Sequence, residues 1–295
     1  MNDAPTSPTI DDSIAPRGAV ESIGRRGWHQ QEGVRAGAIA TVSTVVFFGL
    51  AIFLIVNSPN WPRVRNQFFS PSDFRDAWPA VLGGFWVNVR LFFQAMALIP
   101  LAALVIAVMR SLRGPAFFPL RLLSIIYTDV FRGIPLILLI LLIGFGIPAL
   151  DIAGLPNDAA FWGLIALTLS YSAYTAEIYR SGIDAAPESQ RAAARSLGLT
   201  QFQTLRYALL PQAIRNVVPA LMNTVVSLQK DVALIAVLGV VRDATREAQI
   251  ITTRTFNYTP YLAATVLFLA VSIPLTRYVD FYVARDRARR SQSQV

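Results

Sequence analysis

Four charged side chains stand inside stretches that are otherwise apolar: Arg132 in DVFRGIP, Glu177 in AYTAEI, and the neighbours Lys230 and Asp231 in SLQKDVAL. A charge at the centre of a lipid-buried helix costs roughly 2.5–3.5 kcal/mol on insertion scales, so each needs a partner or a polar path to face. Glu177 precedes Arg180 by three residues, which allows a pair on one helix face; the other reading is that it faces a path and meets the amino group of a solute. Arg132 follows Asp129 by three residues, and an internal pair is the expectation there. Lys230 and Asp231 point about 100° apart on a helix, so they reach one ligand atom only where the helix unwinds, and otherwise pair with buried neighbours.

Other chemistry is excluded by what the chain lacks. It has no cysteine, so disulfides, thiolate metal sites and cysteine nucleophiles are absent. Its one histidine, His29, lies in a polar segment, which removes histidine-based triads and metal sites. Lys230 is the only lysine and has no glycine-rich approach, so no phosphate-binding Walker A loop exists. The chain does not hydrolyse ATP by itself.

The elements that must position these charges are membrane helices. Of 295 residues, 54% are hydrophobic and 15% charged, with a mean hydropathy of +0.48, too apolar for a soluble domain of this length. Runs of about 20 apolar residues cross a bilayer, and the expected spans are 37–56, 84–109, 122–147, 161–178, 213–240 and 261–273, the last extending towards Tyr278. Gly133 and Pro135 are expected to kink the third. Arginines in short loops mark the cytoplasmic side, and Arg110, Arg113 and Arg121, then Arg180, Arg191, Arg195 and Arg206, then Arg285, Arg287, Arg289 and Arg290 fall on one face of a six-span chain. Both termini are then cytoplasmic. Residues 1–36 read as a disordered tail, and the net charge of +8 follows from membrane topology and anionic lipid, without nucleic acid.

One polar interruption stands out, RAAARSLGLTQFQTLRYALLPQAIR, residues 191–215. Pro187 and Glu188 suit a helix start and Gly198 a helix end. Thr200 with Gln203 makes a capping-box pattern for a second helix whose Phe202, Leu205 and Leu209 share a face before Pro211 ends it. The pair forms a protrusion with an alanine-lined bend. A DNA-binding helix-turn-helix has a similar pattern, but the segment is pinned between two spans, too close to the bilayer for a major groove. A plain solvated loop is the bland alternative.

The segment resembles the EAA loop of permease subunits from ABC importers. Ala193, Ala194, Gly198, Leu210 and Pro211 match, whereas Ala192 stands for the usual glutamate and Ala208 for isoleucine. YTDVFRGIPLILLILLIGFGIP, SYSAYTAEIYRSGI and LPQAIRNVVPALMNTVVSLQKDVALIAVLGV resemble the polar amino acid group, which takes up histidine, glutamate, glutamine, arginine and opines; the likeness runs from about Gly83 to Tyr278.

That resemblance implies an all-α integral membrane protein with a five-span type I core, here with one extra N-terminal span, and a cytoplasmic coupling helix-turn-helix. The implied domains are a tail at 1–36, the extra span and loop at 37–79, the permease domain at 80–280 and a basic tail at 281–295. Ala192, Ala193, Ala194, Gly198, Leu210 and Pro211 are implied to couple to the ATPase, and Glu177, Arg132, Lys230 and Asp231 to line the substrate path. The implied partners are a second permease subunit, identical or not, two ATP-binding cassette ATPases that carry ATP and magnesium, an extracytoplasmic binding protein, a polar amino acid and lipid; the chain itself binds no cofactor. The setting implied is a bacterial inner membrane. Opine transport is the near alternative, an ion-driven secondary transporter the distant one, and a membrane-anchored DNA-binding regulator a third class.

Overall fold

The computed structural model describes residues 21–112, 114–185, 188–200 and 203–292. Pro187, Phe202 and Arg113 lie outside the described residues, as do 1–20 of the expected tail, and so do the side chains of Glu188, Arg191, Leu205, Leu209 and Pro211. The chain divides into two compact units after Val64. Among the described residues every regular element is helical.

In the first unit α1 spans Glu21–Val56. Residues 21–36, which the sequence reading places in the tail, are helical: once the apolar run nucleates a helix, adding each further residue is favourable, and the helix reaches back to Glu21. Its stretch Ala36–Val56 is apolar enough to span a membrane, and none of the stretch is buried. Helix α2, Trp61–Phe68, is short and carries Arg63 and Arg65.

In the second unit α3 runs Pro71–Ser111, starting well before the expected residue 84. Ser70 caps it by accepting from the Asp73 amide at 3.4 Å, and Pro71 sits at the first helical position, where a missing N–H costs nothing. At about 1.5 Å per residue the helix is about 60 Å long, twice the hydrocarbon thickness of about 30 Å. Helices α4, Phe118–Gly133, and α5, Leu136–Ala149, come from the third expected span. They meet at 107°, a break rather than a kink. Pro135 has no N–H for the ladder and keeps Ile134 extended at ψ 129, so two adjacent residues leave the helix together.

Helix α6, Ala159–Asp184, is central and packs on α3, α4 and α5. Helix α7 is Glu188–Ser196; α8, Leu210–Asp231, follows a wide π-helical turn at Thr204–Leu209. Pro211 does not end this helix, contrary to expectation. It lies in the first turn of α8, where its missing N–H is tolerated, directly after the wide π-helical turn. At Asp231 the α-helix passes into a 3₁₀ segment, Val232–Leu238. Helices α9, Ala244–Thr255, and α10, Thr259–Gln292, complete the unit.

Four stretches are long and apolar enough to cross a membrane: Ala36–Val56, Trp61–Ser111, Gln212–Leu238 and Thr259–Asp286; the bent α4–α5 pair makes five if it counts as one. The expected span over 161–178 falls in α6, which is not among them. Its Thr168, Ser170, Ser172 and Thr175 are buried against protein, so α6 has less need of an apolar surface. Ser172 shares a 2.7 Å hydrogen bond with the Tyr127 hydroxyl of α4.

Small residues set the closest contacts, as expected where helices pack without a hydrophobic drive. A Cβ on Gly84 would meet the Asp243 carbonyl carbon at 2.6 Å. One turn along α3, Asn88 donates to Asp243 Oδ2 at 2.8 Å and accepts from the Ala244 amide at 3.1 Å. Asp243 also caps α9 through the Arg246 amide at 2.8 Å. Burial pushes its carboxyl above the usual range, opposed by these donors. Leu238 seats between Gly144 of α5 and Gly163 of α6, at 2.7 and 2.8 Å from the Cβ positions those glycines lack.

Candidate functional site

Two polar stripes face each other across the second unit. On α6, Ser170, Tyr171, Tyr174, Glu177, Ile178 and Ser181 recur at helical spacing; on α8, Asn223, Ser227 and Asp231 follow at four-residue intervals, with Thr224 beside them. Together with Arg132–Leu136 at the α4–α5 break they line a half-open cavity of about 730 Å³. Three of the four singled-out charges, Arg132, Glu177 and Asp231, line it. Lys230 does not: it is exposed and outside the lining.

Contacts close the cavity at both ends of the stripes. At one end the Tyr171 hydroxyl donates to Asp231 Oδ2 at 2.7 Å. At the other, α8 crosses α6 at Gly182, where an added Cβ would stand 2.1 Å from Val217 Cγ1 and 3.2 Å from the Ala213 carbonyl oxygen. Between them Arg132–Leu136, at the α4–α5 break, supply the third wall.

Glu177 is paired, as one of its two readings has it, and doubly so. Arg180 Nε donates to both its oxygens at 3.2 Å, the Arg180 Nη2 also contacts Oε1, and Arg110 Nη1 of α3 lies 3.2 Å from Oε2. Arg180 continues to Asp184 at 2.6 Å, and Arg110 to the Thr128 hydroxyl of α4 at 2.9 Å. The network ties α3, α4 and α6 at one end of the bundle.

The expected Asp129–Arg132 pair does not form. Asp129 is exposed, while the Arg132 guanidinium lies over the Tyr174 ring at 5.5 Å and the Tyr174 hydroxyl donates to the Arg132 carbonyl at 3.1 Å. The break just beyond Arg132 turns that helix end towards α6, a tertiary event that local spacing does not encode. Nor is Lys230 in a buried pair; it has no carboxylate partner among the described residues.

The second site is the polar interruption. Helix α7 closes as the glycine predicts: Gly198 has φ +76, its amide donates to the Arg195 carbonyl at 2.9 Å, and the Leu199 amide donates to the Ala194 carbonyl at 3.2 Å. This is a Schellman motif. The capping box forms in both directions, with the Thr200 amide donating to Gln203 Oε1 at 2.9 Å and the Gln203 amide to Thr200 Oγ1 at 3.3 Å. The alanines do not line the bend equally: Ala194 is buried, while Ala192 and Ala193 face out. Beside them Leu197 is 82% exposed and Tyr207 67% exposed, with Leu210 also outside. Leu197 and Tyr207 escaped the sequence reading, although large apolar side chains in so polar a segment were a usable signal.

The family described as "binding-protein-dependent transport system inner membrane component" matches residues 114–287. The arginine transport system permease protein ArtQ of Bacillus subtilis (strain 168) is 32% identical over 200 residues, 67% of this chain and 88% of the relative. The probable glutamine ABC transporter permease protein GlnM of the same strain is 32% identical over 211 residues, 71% and 94%. Among solved structures, the crystal structure of an amino acid ABC transporter with histidines superposes with a TM-score of 0.63 at 34% identity, covering 70% of this chain and 94% of that one.

Proposed function

This chain belongs to the binding-protein-dependent inner membrane components, the permease subunits of ABC importers whose ATP is hydrolysed by a separate ATPase, and on that footing we propose that it carries polar amino acids through the cavity between α6 and α8. The observation that carries the reading is the cavity itself: about 730 Å³, inside the roughly 300–1,000 Å³ range of small-molecule sites, with Arg132 and Asp231 on its walls. Polar side chains in membrane helices either pair across helices or face a water-filled path, and here they line an open volume.

In this reading α6 is a span despite its serines and threonines, which makes six with the bent α4–α5 pair, and α1 is an addition to a five-span core. Residues 80–280 form the permease domain, 37–79 the added span and loop, 1–36 and 281–295 the two cytoplasmic tails. The end carrying Arg110, Arg180 and α7 is cytoplasmic. There Ala192, Ala193, Leu197, Gly198, Tyr207, Leu210 and Pro211 form or frame the surface on which an ATPase subunit docks. Small side chains let its backbone approach, and Leu197 and Tyr207 offer apolar anchors. Ala194 supports the patch from beneath. Two ATPases holding ATP and magnesium, a second permease and an extracytoplasmic binding protein complete the assembly. Nucleotide shifts the population between inward-facing and outward-facing forms.

The test is uptake of radiolabelled amino acids into vesicles reconstituted with the whole assembly. Uptake that requires ATP and the binding protein is expected. Uptake that follows an ion gradient without ATP would overturn the reading in favour of a secondary transporter.

A further inference from the structure

Resting on the transport reading above, we infer that the cavity selects amino acids as zwitterions with neutral side chains: Arg132 receives the carboxylate, Asp231 receives the ammonium, and Glu177 is withheld from the solute.

Three charged side chains line the cavity, and their partners differ. Glu177 already meets Arg180 through both oxygens and Arg110 through Oε2. A third cation at that carboxylate would have to displace a guanidinium or sit against two of them. Arg132 makes no hydrogen bond or ion pair with a carboxylate among the described residues, although Glu177 in the same lining is near enough for the two charges to act on each other. Its guanidinium lies over the Tyr174 face, which leaves the edge of the planar fork open to a bidentate carboxylate. Asp231 accepts one hydrogen bond, from Tyr171, and has no cationic partner among the described residues. An ionised carboxylate has about four acceptor positions, so room remains for an ammonium.

Tyr171 and Tyr174 lie three residues apart on α6, on one face. Each tyrosine carries one of the two open charges, Tyr174 through its ring and Tyr171 through its hydroxyl. The cavity thus presents one positive and one negative group on neighbouring turns, the pattern of an amino acid's own two ends. The remaining polar lining, Ser170, Ser181, Asn223, Thr224 and Ser227, is neutral and hydrogen-bonding. A side-chain amide or hydroxyl finds partners there. A second ammonium or a guanidinium finds no free anion, and an unpaired charge out of water is disfavoured.

The experiment measures equilibrium binding to the permease–ATPase complex in lipid nanodiscs without the binding protein, whose own selectivity would otherwise dominate. The probes are glutamine, arginine, lysine, and two glutamine analogues, one lacking the carboxylate and one lacking the amino group. Glutamine should bind about tenfold or more tighter than arginine, lysine or either analogue. Arg132→Gln should erase the advantage of glutamine over the analogue without the carboxylate, and Asp231→Asn its advantage over the analogue without the amino group. The wild-type series stands even if a variant fails to assemble. Arginine or lysine bound as tightly as glutamine would overturn this inference and leave the transport reading standing. No amino acid bound, together with no ATP-driven uptake in vesicles, would overturn both.

Discussion

Val217 of α8 stands so close to Gly182 of α6 that a single added carbon would lie 2.1 Å from its Cγ1. The two helices touch there, one residue beyond Ser181 of the cavity lining. Overpacking a close crossing costs typically about 1–3 kcal/mol. Gly182→Val should lower the melting temperature of the purified assembly and abolish uptake, while Val217→Ala in the same chain should restore part of both. Unchanged stability in Gly182→Val would show that the crossing is loose.

Gly198 offers a different kind of test, because nothing lies within 4 Å of its missing Cβ and only its φ of +76 constrains it. Left-handed backbone costs a non-glycine residue about 1–3 kcal/mol, less for asparagine. Gly198→Val should reduce ATP hydrolysis stimulated by loaded binding protein far more than Gly198→Asn, with equal insertion in both. Equal stimulation in the two would remove the role given to this bend.

Leu197 tests docking apart from backbone shape. Its side chain is 82% exposed, so Leu197→Asp has little folded structure to disturb. The expected result is loss of the ATPase subunit on affinity purification of the permease. Full recovery of the ATPase would place the interface elsewhere.

Asn88→Ala removes both partners it gives to the Asp243–Ala244 corner, leaving buried polar groups unsatisfied at about 1–3 kcal/mol. Burial holds the Asp243 carboxyl above its unfolded value, so the folded state binds its proton more tightly and stability falls as pH rises from the usual carboxylate range through the folded one. Losing the Asn88 donor raises that folded value further. Thermal unfolding should therefore show a larger deficit for Asn88→Ala at pH 8 than at pH 5; a deficit independent of pH would mean that Asp243 holds the same charge at both.

Removal of residues 1–56 tests the added span. In the proposed orientation, with both termini cytoplasmic, the new start would lie on the exported side with Arg63, Arg65 and Arg75 opposing that topology, so less protein should insert. Correctly inserted molecules should keep stimulated ATP hydrolysis in vesicles. If they lose it while fully assembled, α1 is part of the transport machinery.

What could be read from the sequence was local. The Gly198 cap and the Thr200–Gln203 box need only a few neighbouring residues, and both are present as their types demand. The charges were visible because charge is rare in apolar runs, but their partners were not. Arg132 turned from Asp129 to Tyr174 because the chain breaks by 107° two residues later, and Glu177 gained Arg110 from a helix far away in sequence. Proline was misjudged at 211 because it falls in a first turn, where its missing N–H is tolerated. The stripe of Tyr171, Tyr174, Asn223 and Ser227 escaped the sequence reading, because its two halves acquire meaning only once α6 and α8 face each other. Gly84 and Gly182 gave no local sign, since what they admit comes from another helix.

The seat of Leu238 bears on how the chain is made. The ribosome delivers Gly144 and Gly163 long before residue 238, so α5 and α6 enter the lipid with a notch between them that nothing in the nascent chain can yet fill. The notch is filled only when the 3₁₀ segment brings Leu238. A chain halted before residue 232 would lack the leucine that seats between Gly144 and Gly163.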